Sequence, residues 1–257
     1  MILFFIGLCA AAPKDVGRIV GGDEINIEQY PSMVQIEALR FGRWGQSCAG
    51  NIVNDWFILT AAHCTSRLTD ILINHTLSKN RRIRAGATYR EEGGLITNAA
   101  AVLNHPTFSP IFNLNIDGDI SLIRVETPYS WHDAIRSIAI PPQNYAIADN
   151  QPVIHAGWGR VVVSILILIK LKKEPDRYAN AENPLHRGVV TENMICSGLM
   201  DVGGKGACQG DSGGPLYYGN ILVGIISWGG DCADPNLPTV SSKVSSYTEW
   251  IVYHANF

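Results

Sequence analysis

Ser212 stands in the stretch Gly206-Ala207-Cys208-Gln209-Gly210-Asp211-Ser212-Gly213-Gly214-Pro215, among four glycines and beside an aspartate. Closely spaced glycines let a backbone turn where a Cβ would forbid it. A serine on such a turn is exposed and rigidly aimed, which suits a nucleophile. A serine hydroxyl is nonetheless a weak one; it needs a base to take its proton and a third group to orient that base. Taken alone, the stretch also reads as a glycine-rich surface turn. Two other stretches hold the residue types that would complete the chemistry. Thr60-Ala61-Ala62-His63-Cys64 sets a histidine after an apolar run, and Asp117-Gly118-Asp119-Ile120-Ser121-Leu122 sets two acids before another.

Two chain orders could bring a serine, a histidine and an acid together. Gly210-Asp211-Ser212-Gly213-Gly214 matches the nucleophile turn of α/β-hydrolases, where the acid and histidine follow the serine; Asp231 or Asp234 with His254 would fill those places. That fold requires a helix directly after the serine. Here Leu216 to Trp228 reads as strand, and residues 213–257 are too few for the rest of such a sheet, so the order His63, Asp119, Ser212 remains. The other histidines, His75, His105, His132, His155, His186 and His254, lack metal-ligand spacing and read as surface or packing residues.

The elements that must position these residues read as mostly β. Met33 to Ile36, Ile52-Val53, Trp56 to Leu59, Ile120 to Ile123, Val153-Ile154 and Ile221 to Ile226 are short, β-branched or aromatic runs punctuated by Gly, Asn, Asp and Pro. Many short strands with frequent turns predict an all-β barrel or sandwich. The tail predicts a helix over 246–255: Ser246 and Glu249 fit a capping box, and Tyr247, Trp250, Ile251 and His254 share a face. The 257 residues are 46% hydrophobic and 17% charged with a net charge of −3, and no long block of one sign favours nucleic acid or an acidic membrane as partner. No run of eighteen apolar residues predicts a spanning helix.

At the start, Ile2 to Leu8 form a short apolar core and Cys9 to Ala12 are small. This reads as a secretory signal over 1–11, although its start carries no Lys or Arg; a buried first strand is the other reading. Secretion would permit disulfides. Residues 12–18 are polar and end on Arg18, before Ile19-Val20-Gly21-Gly22, a pattern that suits proteolytic trimming. Asn74-His75-Thr76 fits the N-glycosylation pattern in a polar segment.

In the order His63, Asp119, Ser212, the sequence resembles the chymotrypsin/trypsin family of serine endopeptidases. The resemblance is carried by Arg18 to Gly22, Thr60 to Cys64, Asp119 to Leu122, Ala156-Gly157-Trp158-Gly159, Gly210 to Pro215, Ser227-Trp228-Gly229 and the final helix. It implies two packed six-stranded antiparallel β-barrels with a C-terminal α-helix: a first barrel over about 19–130, a second over about 131–245, and the catalytic residues at their junction. It implies Ser212 as nucleophile, His63 as base, Asp119 as the acid rather than Asp117, and the backbone N–H groups of Gly210 and Ser212 as the oxyanion hole. It implies a zymogen cleaved after Arg18, with the new amine of Ile19 paired to Asp211. It pairs Cys48 with Cys64 and Cys208 with Cys232, and implies no cofactor or metal. Expected partners are polypeptide substrates, an activating trypsin-like protease and protein inhibitors, acting on a secreted monomer.

The resemblance also marks departures. It puts Gly206, followed by Ala207, at the base of the specificity pocket, with walls from Ser227, Trp228, Gly229 and Thr239. Trypsins have an aspartate at the base. An Arg or Lys desolvated without a counter-charge is costly, so an uncharged side chain before the scissile bond (P1) is expected. A tryptic preference assisted from the rim by Asp231 is the alternative, and a catalytically weak homologue that acts by binding is a third reading. The family partner of Cys196 would lie near Glu174 to Tyr178, where no cysteine stands; this leaves Cys196 as a thiol or as a link between chains. Val161 to Leu171 is unusually apolar and reads as a buried strand, and Leu68 to Asn80 as an extra loop. With no regulatory domain ahead of Arg18, a digestive role is expected.

Overall fold

The computed structural model describes residues 22–66, 80–109, 117–159, 167–174 and 190–256. Alternating and continuous apolar runs form β2 (Met33–Arg40), β3 (Arg43–Ile52), β4 (Phe57–Thr60), β5 (Arg81–Ala85), β6 (Leu95–Asn104) and β7 (Ser121–Val125), which close into an antiparallel barrel in the order β2-β3-β4-β7-β6-β5. Closure removes the exposed sheet edges that a six-stranded sheet would otherwise carry. The signal for β5 is masked in sequence by Arg82 and Arg84. Both arginines reach across to Glu37 on β2, at 2.5 and 2.6 Å, and so allow a carboxylate that is only 1% exposed. Arg82 also lies 4.6 Å over the Trp44 ring.

The second sheet is built from β8 (Pro152–Gly157), β9 (Ile167–Glu174), β10 (Met194–Gly198), β11 (Pro215–Tyr218), β12 (Ile221–Trp228) and β13 (Thr239–Lys243). Pairing of β8 with β9 closes these six strands. A seventh, β1 (Asp23–Glu24), adds to the outside of β9, so the start of the described chain joins the second barrel rather than the first. The apolar 161–171 run therefore enters strand β9 in its second half; residues 160–166 lie outside the described residues.

One hydrophobic core runs through both barrels, from Ile52, Leu59 and Leu122 to Leu222 and Ile225. Tyr217 pins the junction. Its ring stacks on Tyr30 at 5.2 Å, and its hydroxyl meets Ser32 Oγ at 2.9 Å and donates to Asn51 Oδ1 at 3.1 Å. The C-terminal helix, α2 (Thr248–Ala255), follows a short helix α1 (Ala62–Thr65) in chain order, and buries Ile251 in that core. Asn54 Nδ2 bonds its last carbonyl, Ala255 O, at 2.9 Å.

The capping box does not form. Val244–Ser246 turns as a 3-10 helix, so the α-helix starts later and Ser246 is not its cap. The early backbone N–H of Glu249 is served instead by Gln143 Oε1 at 3.0 Å. A partner distant in sequence thus replaces the local one.

Candidate active site

His63 sits on α1, directly after strand β4, and Asp119 directly before β7, its antiparallel neighbour. Pairing of these strands brings the two side chains together. Asp119 Oδ2 lies 2.7 Å from His63 Nδ1, and Oδ1 accepts the His63 backbone N–H at 2.8 Å. The Ser227 hydroxyl also donates to Asp119 Oδ2, and Ser242 Oγ donates to the Asp119 carbonyl at 2.7 Å. Asp119 is fully buried, whereas the His63 side chain keeps about a third of its surface, at 35%. Burial pushes the Asp119 carboxyl upwards, but His63 and Ser227 outweigh it and hold the group below the usual carboxylate range. Burial also draws the His63 imidazole down, and the Asp119 charge and hydrogen bond outweigh that and raise it.

Ser212 comes from the second barrel and is tied to the first. Its carbonyl accepts Ala49 N–H at 2.8 Å, while Gly213 N–H donates to Ile226 O at 2.7 Å. Gly213 has φ +77°, and a Cβ there would stand 2.1 Å from Thr60 Oγ1, so the turn presenting Ser212 admits only glycine. Gly210 at φ +100° has its carbonyl held by Gln46 Nε2 at 2.9 Å. Among the described residues no direct hydrogen bond joins Ser212 to His63; such bonds are often long before substrate binds.

Asp211 points the other way. It is 2% exposed, its Oδ1 accepts Gly159 N–H at 2.7 Å and its Oδ2 accepts Cys208 N–H at 2.9 Å. A Cβ on Gly157 or Gly159 would fall 2.0 or 2.2 Å from its carboxylate oxygens, which explains the Gly157-Trp158-Gly159 motif as a cradle. Burial pushes the Asp211 carboxyl up to about 6 despite these bonds and the more distant Arg90. No salt bridge to it is made among the described residues. Arg18, Ile19 and Asn74 lie outside the described residues.

Asp117 does not approach His63. Its carboxylate accepts from the Tyr247 hydroxyl, Thr191 Oγ1 and Asn193 Nδ2 at 3.0–3.2 Å, and from its neighbour Gly118 N–H. It knots the loop before Asp119 to the second barrel.

Beside Ser212 opens a cavity of about 220 Å³. Gly206, Ala207, Ser227, Trp228, Gly229 and Thr239 all line it. So do Lys205 and the carboxylates Asp231 and Asp234. Gly206 is packed against the chain opposite: a Cβ would stand 2.9 Å from Ala233 Cα and N. Disulfides join Cys48 to Cys64, next to His63, and Cys208 to Cys232, across the cavity wall. Buried Cys196 on β10 joins neither.

Sequence reasoning missed three contributors. Ser227 reads as a pocket wall but also holds Asp119 from 108 residues away. Gln46 reaches Gly210 from another barrel, and Asp234 lies in a turn with no motif of its own.

The family model for trypsin matches residues 19–251. The chain is 38% identical to "Trypsin, alkaline C" of Manduca sexta, over 94% of this chain and 93% of that one. It is 37% identical to "Trypsin CFT-1" of Choristoneura fumiferana, over 98% of each. Among solved structures, neuropsin, a serine protease expressed in the limbic system of mouse brain, superposes with a TM-score of 0.76 at 28% identity, covering 91% of this chain and 99% of its own. Among the described residues no helix is long and apolar enough to cross a membrane.

Proposed function

We propose, from the premise that this chain belongs to the trypsin family of serine endopeptidases, that Ser212, His63 and Asp119 are its catalytic triad. The chemistry is that long established for the family. Ser212 Oγ attacks the peptide carbonyl, His63 Nε2 takes the hydroxyl proton, and the leaving amine receives it. Asp119 holds the Nδ1–H tautomer and stabilises the imidazolium. The Gly210 and Ser212 N–H groups receive the oxyanion. The observation that carries this reading is the His63–Asp119 pair at 2.7 Å, buried on the acid side and open on the histidine side. An active-site serine phosphonate tests it. Stoichiometric labelling at Ser212 after activation, lost in Ser212→Ala, is expected; no labelling would overturn the reading and leave a binding homologue.

The names of the relatives support cleavage after Arg or Lys over the uncharged preference read from Gly206. With no acid at Gly206, the counter-charge would come from Asp231 and Asp234, which line the cavity. The second reading, an uncharged P1 residue, is favoured by Gly206 itself, whose packing on Ala233 leaves no room for a floor carboxylate. A peptide library scanned at P1 on activated protein separates the two: Arg and Lys dominate in the first case and are minor in the second.

The protein acts on polypeptides as a secreted enzyme, made as a precursor over 1–18 and cleaved after Arg18 by a trypsin-like protease. Protein inhibitors of this family are natural partners. Asp211, buried with no salt bridge among the described residues, supports the role of acceptor for the Ile19 amine. Arg18→Gln should yield an inactive chain with no new N-terminus at Ile19.

A further inference from the structure

Strand β3 of the first barrel holds both residues of the oxyanion hole by their carbonyls. Ala49 N–H donates to Ser212 O at 2.8 Å. Gln46 Nε2 donates to Gly210 O at 2.9 Å. The same strand carries Cys48, whose disulfide partner Cys64 directly follows His63. One strand thus registers the two proposed oxyanion donors, which belong to the second barrel, against the base, which belongs to the first. The Ala49 tie is made by backbone and is available to any sequence. The Gln46 tie is made by a side chain and depends on residue type.

That side chain is buried and locked. Gln46 is 6% exposed, its backbone N–H donates to Glu91 Oε1 at 2.8 Å and its carbonyl accepts from Arg90 Nη2 at 3.2 Å. The β2–β3 register shifts here: Ile36 pairs with Cys48 and Glu37 with Gln46, leaving Ser47 as the extra residue. Such a shift re-aims the side chains beside it. Both amide hydrogens are used, one on Gly210 O and one on Cys48 O at 3.2 Å. Oε1 is buried with no partner among the described residues. The exchanged orientation would face Oε1 against two carbonyl oxygens and strand two N–H groups, the rarer kind of orphan. A methionine would fill the same space with no orphan at all. Packing therefore does not account for a glutamine here, whereas the two donated bonds do.

Gly210 needs such a tie. It is the third residue of a turn, Cys208 to Asp211, closed by Asp211 N–H on Cys208 O at 3.0 Å, and its φ of +100° has the sign a type II turn requires there. Glycine tolerates either sign of φ about equally. A type I turn over the same four residues would turn the Gly210 N–H to the opposite face. The turn does not by itself hold that donor on target. We propose that Gln46 is a positioning residue for the oxyanion hole. By tying Gly210 O to β3 it keeps the Gly210 N–H beside that of Ser212, in the register that Ala49 sets. This rests on the endopeptidase reading and adds to it a residue that acts through Gly210.

The test uses the full chain, activated at Arg18, with active sites counted by phosphonate labelling. Wild type is compared with Gln46→Met, which keeps the side chain's length and loses both donors; Gln46→Leu replaces it if the first does not fold. Each is given one peptide substrate and the peptide aldehyde of the same sequence, whose adduct with Ser212 puts an oxyanion in the hole. Per labelled site, kcat should fall roughly 10- to 100-fold, less than outright loss of a donor, because the donor is displaced rather than removed. KM should stay within about twofold, and aldehyde affinity should fall by the same factor as kcat, since the lost interaction is one made in the transition state. Gln46→His, which returns one ring N–H, should recover part of both losses. A merely structural role would lower the number of labelled sites and leave kcat per site alone; that result overturns the proposal, as does a loss of kcat that the aldehyde does not share. If wild type is labelled at Ser212 in those cases, the endopeptidase reading survives. Absence of labelling in wild type overturns both.

Discussion

Two aspartates flank the Ser212 turn, Asp119 at 0% and Asp211 at 2% exposed, and they differ in almost everything but burial. Asp119 has a histidine ring, a backbone N–H and a serine hydroxyl, and its carboxyl is held below the ordinary range. Asp211 has two backbone N–H groups inside a glycine cradle, and its carboxyl is pushed up to about 6. Burial alone always favours the neutral acid; whether it prevails depends on the number and charge of the opposing donors. One site is electrostatically complete as folded. The other is shaped for a carboxylate, and among the described residues no cation forms a salt bridge with it. Under the proposed activation, the Ile19 amine supplies one.

Breaking the complete site has the largest effect. Asp119→Asn removes the charge that raises the His63 imidazole. We expect kcat to fall about 10⁴-fold, a magnitude taken from a studied member of the same family. The acid limb of the pH profile should also move down. In the wild type that limb lies above 6.5, because His63 must be neutral to act and its folded value is raised. A variant with the same limb and only a small loss in rate would remove Asp119 from the proposed role.

The incomplete site should show itself in the precursor. The folded Asp211 value of about 6 stands above its ordinary 3.8. Its contribution to stability is therefore full below 3.8 and is lost as pH rises through 6, by about 3 kcal/mol. His155 works against it in nearly the same window, since its depressed value makes the fold less stable as pH falls from 6.5 towards 3. A difference isolates Asp211. Urea unfolding of Arg18→Gln is compared with Arg18→Gln/Asp211→Asn at pH 4 and 7. The first should lose about 2.4 kcal/mol relative to the second on going to pH 7. Equal pH dependence in the two would sink the idea of a carboxylate awaiting its partner.

Ser227→Ala sharpens the comparison from the other direction, by moving Asp119 one step towards the condition of Asp211. The hydroxyl is one of the groups holding the Asp119 carboxyl down. Hydrogen bonds to charged groups are worth about 1.5–3 kcal/mol, so kcat/KM should fall about tenfold, with the pH profile of kcat as the readout. A change in KM alone would assign Ser227 to the pocket wall only.

How much of this was legible in the chain depended on whether the signal was local. His63, Asp119 and Ser212 each sit beside a strand-like run, and the strand-like residues after Ser212 are enough to exclude the α/β-hydrolase order. The strands β2, β4, β7, β8 and β12 announced themselves by apolar residues. β5 did not, because Arg82 and Arg84 make sense only once Glu37 is opposite them. The helix end misled for the same reason: a local box was expected, and Gln143, distant in sequence, serves instead. His155 read as a packing residue. It is packed, but its partner Ser197 also lines the cavity, and no spacing in the sequence relates the two.

The smallest expected effect concerns what stands behind Asp119. Tyr247 donates its hydroxyl to Asp117 Oδ1 at 3.1 Å and accepts Gly118 N–H at 3.0 Å. Removing the hydroxyl in Tyr247→Phe leaves the ring in place against His105, at 4.9 Å. Gly118 N–H keeps a second acceptor in Asp117 Oδ1, and Asp117 keeps Thr191 and Asn193, so no group is left orphaned. The loss is then that of one ordinary hydrogen bond, about 1 kcal/mol, read as a small fall in the urea midpoint at constant slope. Asp119 has its own donors from His63 and Ser227 and does not depend on this knot for its charge. The pH profile of kcat should therefore stay put while stability falls. A profile that shifts with Tyr247→Phe would mean that the Asp117 knot tunes Asp119, and that the completeness of that site extends one layer further than its direct donors.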